Sequence, residues 1–336
     1  MVRRDDLGKW DEDVEVSKFH SNKYGEIEIN GKVVHLSPHA EAQLYNRIGI
    51  PTAYARRCPP DLLAPHINHW LEERSNQTWL VRGKNEEIRA ILSTNYAILD
   101  NAHIITLLNQ YLEGQGFEVV MCSVGDDVGF HARVVLPDVE VDMGAIRSGE
   151  RDSIFGGIHI SNSEIGKRSA SVELMLWRLV CTNGMVGLRS QERFRQIHKG
   201  ANLYGSFLDG AEKILQHAKS DLEYELHNFE TSMQEQTQYG EEIVKAYAHE
   251  NRLTQAVTEE ALVQLHYQSR SKTVGLFSRY DIINAFTAAA RIEKGDKRYE
   301  VEAVAGELLN DRISRMETKA MRHAMDSKNG GDLNEN

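Results

Sequence analysis

Apolar residues recur along this chain with two periods, and the change from one to the other sets out its organisation. Residues 26–36, EIEINGKVVHL, alternate apolar and polar positions on both sides of Asn30-Gly31. That alternation around Asn-Gly predicts a β-hairpin, because both turn residues tolerate the positive φ of a tight two-residue turn. Ser37 and Pro38 then read as N-cap and first helical residue, with Ala42, Leu44, Tyr45 and Ile48 on one helical face before Gly49. Residues 51–77 predict two short helices broken at Pro59-Pro60, with Leu62, Leu63, Ile67, Trp70 and Leu71 as their apolar positions. A hairpin is expected over 77–93, with Trp79 and Val81 facing Ile88, Ala90 and Leu92 across a Gly-Lys-Asn turn. Asp100-Asn101 caps a helix carrying Ile104, Ile105, Leu107, Leu108, Tyr111 and Leu112, which ends at Gly114. FEVVMCSV and VGFHARVVL form a further hairpin around Gly125-Asp126-Asp127, and SIFGGIHIS and SASVELMLWRLVC are strands.

From Leu203 the period becomes helical. LYGSFLDGAEKILQHAKSDLEYELHNFE is long, amphipathic and acidic, and two further helices are expected over roughly 240–268 and 278–310. The division is therefore an N-terminal arm (1–25), a core (26–200), a helical C-terminal region (201–325) and a disordered tail (326–336). The fold class is α+β: a central, mostly antiparallel sheet with packed helices and a helical C-terminal part.

Composition narrows the picture. A hydrophobic fraction of 41% and a charged fraction of 26% over 336 residues fit a soluble globular protein with a real core. No apolar run approaches the ~18 residues of a membrane helix, and the first residues carry no secretory h-region. Cys58, Cys122 and Cys181 lie far apart, which disfavours zinc and a disulfide framework and suits a reducing cytoplasm. The net charge of −11 argues against coating nucleic acid by bulk charge. It is unevenly spread, however. Residues 145–200 hold nine Lys/Arg against five Asp/Glu, whereas 206–260 hold four against twelve, so a basic groove beside an acidic flank is compatible with the total.

Candidate chemistry is sparse. There is no phosphate-loop or dinucleotide-binding pattern, so no cofactor is expected. His66 and His69 have a metal-pair spacing without a third ligand. Asp126 and Asp127, with His131 nearby, could hold a divalent metal for hydrolysis, but turn chemistry explains Gly-Asp-Asp equally well. Ser161, Ser163 and Cys181 are nucleophile types without a nucleophile elbow, and Glu164 beside Lys167 and Arg168 reads as a salt-bridged turn. The strongest pattern is interleaving of basic and aromatic residues. Arg178 follows Trp177, and GLRSQERFRQIHKG sets Arg189, Arg193, Arg195 and Lys199 around Phe194. Cations on phosphates with aromatic faces on bases are the chemistry of single-strand binding.

GIPTAYARRCPPDLLAPHINHWL, IRAILSTNYAILDN, GGIHISNSEIG, RLVCTNGMV and SRYDIINAFTAAAR together resemble a family of phage- and plasmid-borne proteins, domain-of-unknown-function family 932. The resemblance runs from about residue 36 to 310 and implies a mobile-element protein of DNA metabolism in a bacterial host cytoplasm. It supplies no catalytic residue. The order hairpin, helix, hairpin and further strands is also similar to the core of single-strand annealing proteins, which form rings or filaments with a basic groove and need no nucleotide. The expected function is binding and annealing of single-stranded DNA by a homo-oligomer. Arg147, Arg151, Lys167, Arg168, Arg178, Arg189, Arg193, Arg195 and Lys199 would contact phosphates, with Trp177 and Phe194 stacking on bases. The alternatives are a regulatory protein that binds a partner through its acidic helices, and a hydrolase or nuclease built on Asp126, Asp127 and His131.

Overall fold

The computed structural model describes residues 3–4, 9–112, 116–125, 129–145, 151–178, 183–186, 193–270 and 273–331. Its architecture is α+β. Contacts divide the chain into two units. The first is Met1–Asp100 with Ser163–Arg168 and Ile197–Leu203; the second is Asn101–Asn162, Ser169–Gln196 and Tyr204–Asn336.

In the first unit β1 (Arg3–Arg4), β2 (Lys9–Glu15), β3 (Phe19–Ser21), β4 (Ile27–Ile29) and β5 (Lys32–Leu36) precede α1 (Pro38–Ile48), α2 (Thr52–Ala55) and α3 (Pro60–Glu72). The hairpin β6 (Thr78–Lys84) and β7 (Glu87–Ser93) follows, and the sheet order is β1-β2-β6-β7-β5-β4-β3, with β5 and β7 parallel. Local chemistry explains much of this. Asn30 and Gly31 take φ of 53° and 74° in the β4–β5 turn. The Ser37 hydroxyl accepts the Ala40 N–H to cap α1, and Gly49 ends that helix in the left-handed region.

Two expectations need correction. Residues 9–21 are not a detached arm: β2 pairs along its whole length with β6, and the Trp10 indole occupies the space where Gly83 lacks a side chain. The dense charge of KWDEDVE hides this strand, since Trp10 and Val14 are its only large apolar residues. Val81 lies opposite Ile91, and the β6–β7 hairpin buries both of its faces. Trp79, Val81, Ile88 and Ile91 join the core under α1 and α3, whereas Leu80, Ala90 and Leu92 form a second cluster with Ile165. A bulge at Arg82/Gly83 shifts the register, so simple alternation misassigns the faces.

The second unit opens with α4 (Asn101–Leu112), then β8 (Glu118–Gly125), β9 (Gly129–Ala145), β10 (Arg151–Asn162), β11 (Ala170–Arg178), β12 (Asn183–Val186) and β13 (Arg193–Gln196). These strands form an antiparallel sheet in the order β12-β11-β10-β9-β8, with β13 also paired to β11. The long helix α5 (Leu203–Thr231) follows, then β14 (Gln236–Thr237), α6 (Gly240–Glu250), α7 (Gln255–Gln268), β15 (Phe277–Ser278), α8 (Arg279–Ala289), α9 (Gly295–Asn310) and α10 (Ile313–Gly331). The two C-terminal helices expected over 240–268 and 278–310 are each divided. Arg252 takes a positive φ and Thr254 caps α7, while Lys294, in extended backbone, precedes Gly295 at the start of α9. Helix α10 runs through Gly331, five residues beyond the start expected for the tail. Strand β13 was not anticipated.

The sheet of the second unit has two unlike faces. Ala132, Val134, Ile158, Ile160, Val172 and Leu174 make a buried apolar face. Gly156, in the same alternation, lies where a Cβ would fall 2.9 Å from Leu222 Cβ, so the missing side chain lets α5 approach. Gly157 points to the opposite face, and a Cβ there would sit 2.4 Å from the Val134 carbonyl oxygen. A backbone atom in a paired strand cannot yield as a flexible side chain does. Gly→Ala in an unstrained strand ordinarily stabilises through the unfolded chain. Gly157→Ala is expected to do the reverse, by about 1–3 kcal/mol, read as a lower denaturant midpoint at unchanged slope.

Candidate nucleic-acid interface

The strand β13 reads RFRQ, so Arg193 and Arg195 lie on one face and Phe194 and Gln196 on the other. Register carries the two arginines into rows that cross the sheet. Arg193 lies opposite Glu173, which faces His159, which faces Arg133. Arg195 lies opposite Ser171, which faces Ser161, which faces His131. This is the polar face, and α9 packs on it. Tyr299 donates its hydroxyl to Glu173 at 2.8 Å, Glu302 pairs with Arg133, and Asp296 lies 3.2 Å from His131 Nε2. Glu173 and Glu302 are fully buried, and each has a cationic or hydroxyl partner, as desolvated carboxylates require. His131 and His159 stack with ring nitrogens 3.0 Å apart. The expected hydrolase therefore finds His131 inside this paired layer.

At the β13 edge this layer meets solvent. The Arg193 guanidinium is held by Glu173 at 3.3 Å and donates to the Tyr299 hydroxyl at 3.2 Å. Arg195 Nε donates to Ser169 Oγ at 2.5 Å and stays exposed. On the other side of β13, Phe194 rests over Gly210 of α5, where a Cβ would collide with its ring, and packs against Phe207. Arg193, Phe194, Ser206, Asp209, Gly210, Lys213 and Ile214 line a groove of about 500 Å³ between β13 and α5. It brings together two cations, a half-buried aromatic ring and a hydroxyl, with Arg195 two residues along the strand.

The other expected contacts are dispersed. Trp177 is 4% exposed and packs with Val135 and Met175, and Arg133 lies 5.5 Å over its ring, so its face is closed to a base. Arg178 is buried in an ion pair with Asp152, at 2.7 and 2.9 Å, and also donates to Gln268. Asp152 in addition accepts from Arg270 and from the Tyr280 hydroxyl, each at 2.6 Å. Both residues belong to the framework, because partners distant in sequence claim them. Lys167, Arg168 and Lys199 belong to the first unit. Arg147, Arg189, Asp126, Asp127 and Cys181 lie outside the described residues, as does the side chain of Arg151.

The serine-rich turn is structural as well. Ser163 Oγ accepts the N–H groups of Ile165 and Lys167. Glu164 is buried between Lys9 at 2.7 Å and Arg89 at 2.9 Å, and its carbonyl accepts from Arg82. Ser161 shares a hydrogen bond with Ser171 inside the polar face. His66 and His69 are exposed on α3, and among the described residues no His, Cys, Asp or Glu group is disposed to hold a metal. Also among the described residues, no helix is long and apolar enough to cross a membrane. Sequence reasoning missed Lys213, Glu173 and Tyr299. The polar rows were visible as i, i+2 pairs (His131/Arg133, His159/Ser161, Ser171/Glu173, Arg193/Arg195), but only a register joins them.

The profile of a family described as a domain of unknown function (DUF932) matches residues 90–324 of the 336. No curated protein and no solved structure matches the chain.

Burial pushes the Asp152 carboxyl upward, but the hydrogen bonds of Arg178 and Tyr280 and the charges of Arg178 and Arg270 outweigh it and hold the group below its ordinary range. A lowered carboxyl stabilises the fold fully above its unfolded value of about 3.9. That stabilisation is lost as pH falls through the native value. Asp152→Asn is expected to destabilise the second unit by about 3–5 kcal/mol at neutral pH. It should also weaken the dependence of stability on pH below about 4, both read from denaturant unfolding across a pH series.

Proposed function

The chain belongs to the DUF932 family, and we propose that it binds single-stranded DNA in the groove between β13 and α5 and anneals complementary strands without hydrolysing a nucleotide. The observation that carries this reading is that Arg193 and Lys213 line the groove with the partly exposed Phe194 ring, while the exposed Arg195 lies two residues along β13, in a chain whose total charge is −11. A charged backbone held by spaced cations, with one aromatic edge for a base, is how sequence-tolerant single-strand binding works. The acidic helices beyond the groove keep that attraction local, so extended duplex gains little from the rest of the surface. In this reading the protein acts in DNA metabolism of a phage or plasmid, in the cytoplasm of its bacterial host and as a homo-oligomer.

Arg193 is unsuited to a clean test, because removing it strips a buried carboxylate of its cation. Arg195 and Lys213 are exposed and can be changed without that effect. An Arg195→Ala/Lys213→Ala double variant should keep its unfolding midpoint and lose affinity for a single-stranded oligonucleotide. The slope of log affinity against log salt should fall by roughly 0.7 per lost phosphate contact. Phe194→Leu should weaken binding by about 1–3 kcal/mol while leaving the salt slope alone. Fluorescence anisotropy over a salt series reads the affinities and the slopes, and denaturant unfolding reads the midpoint. An absence of binding at low salt, or variants indistinguishable from the parent, defeats the proposal.

A further inference from the structure

The sheet of the second unit ends at β8, and this edge is unusual. Its outer backbone has no ladder partner among the described residues, so its N–H and C=O groups face outward. The side chains do not protect it. Val119 is 67%, Val120 38% and Val124 61% exposed, Cys122 is a free exposed cysteine, and no charge or proline occurs between Glu118 and Gly125. Natural edge strands are shielded by lysine, proline, shortness or a bulge. The one such device here is a bulge between Val119 and Met121, which leaves the run beyond it regular.

We infer that β8 is a homodimer interface, in which β8 of a second copy adds antiparallel across a two-fold axis at Cys122 and continues the sheet from one copy into the next. The occupant follows from chemistry and register. An outward-facing strand edge is satisfied by another extended backbone. Residues directly opposite in an antiparallel pair share a face. Met121 and Ser123 lie opposite Arg133 and His131, on the polar face, while Cys122 and Val124 lie opposite Ala132 and Phe130 on the apolar face. An axis at Cys122 places Met121 opposite Ser123 of the second copy and Cys122 opposite its own equivalent, so faces match over the regular run. Between Val119 and Gly125 it sets no charge against a like charge. Self-pairing of β13 would instead bring Arg193 and Arg195 onto a second set of arginines. The exposed Cys122 side chain would then be sheltered by its equivalent and Val124 by Val120 of the second copy, with the reciprocal contacts that an isologous interface requires. This inference is independent of the DNA groove, which lies at β13.

Sedimentation equilibrium of the full chain over a wide dilution series is expected to show a reversible dimer. Cys122→Lys would put two ammonium groups across the axis at a solvent-exposed position, and should raise the dissociation constant at least about tenfold, with an unchanged melting temperature at dilutions where parent and variant are both monomeric. Cys122→Ala should leave the dimer intact. A second measurement tests the register. Opposed Cα atoms in an antiparallel pair lie about 4.5–5.5 Å apart, within the ~4.4–6.8 Å that a disulfide spans. With Cys58→Ala and Cys181→Ala, leaving Cys122, oxidised glutathione should therefore convert the dimer to a disulfide-linked species, taking up the two electrons and two protons of the paired thiols. A protein that stays monomeric, an oligomer indifferent to Cys122→Lys, or a dimer that never cross-links at Cys122 overturns the inference.

Discussion

The second unit depends on covering a sheet whose two faces make incompatible demands. One face is aliphatic and accepts α5 through area burial alone. The other carries His131, Arg133, His159 and Glu173, and any helix laid on it must return a partner for each charge or leave that charge stranded in a poor dielectric. Helix α9 meets both conditions at once. Val301, Val304, Ala305 and Leu308 are buried, while Tyr299 and Glu302 reach the sheet's carboxylate and guanidinium. This double role explains why its sequence, GDKRYEVEAVAGELLN, reads as a charged surface helix although much of it is buried.

A second polar centre works the same way. Asp152 gathers Arg178, Arg270 and Tyr280 from β11, the segment after α7, and α8. Satisfying one buried carboxylate with two guanidiniums and a phenol fixes three elements relative to β10. The same environment pushes the Tyr280 hydroxyl upward, through burial first and then the neighbouring carboxylate, so it remains a donor. Much of α8 is buried in consequence, and its capping box at Ser278 and Asp281 satisfies the end that solvent cannot reach.

What the sequence disclosed follows the range of the forces involved. The Asn30-Gly31 hairpin, the Ser37-Pro38 cap and the Pro59-Pro60 break are set by neighbours within a few residues, and they were legible. Trp177 and Arg178 looked like a stacker and a phosphate contact because their true partners, Arg133 and Asp152, lie 44 and 26 residues earlier, and no local pattern names them. The stretches that carried the family resemblance owe their composition to internal geometry. Gly156 and Gly157 admit a helix and a carbonyl, Ser163 and Glu164 build a turn, and SRYDIINAF is buried. Such segments identify an architecture and do not name an activity.

Framework and proposed groove meet at Arg193, and this bears on how the groove would act. Glu173 and Tyr299 hold its guanidinium, so little rotamer entropy remains to be lost on engaging a ligand. The same carboxylate offsets its charge, so Arg193 contributes orientation more than field. The attraction that varies with salt would then come from Arg195, whose side-chain partner among the described residues is Ser169, and from Lys213 on α5. Asp209 in the groove wall opposes them. On the proposed reading, a site built this way would favour a flexible strand that can place its phosphates between fixed donors, over a rigid duplex that depends on a broad positive surface.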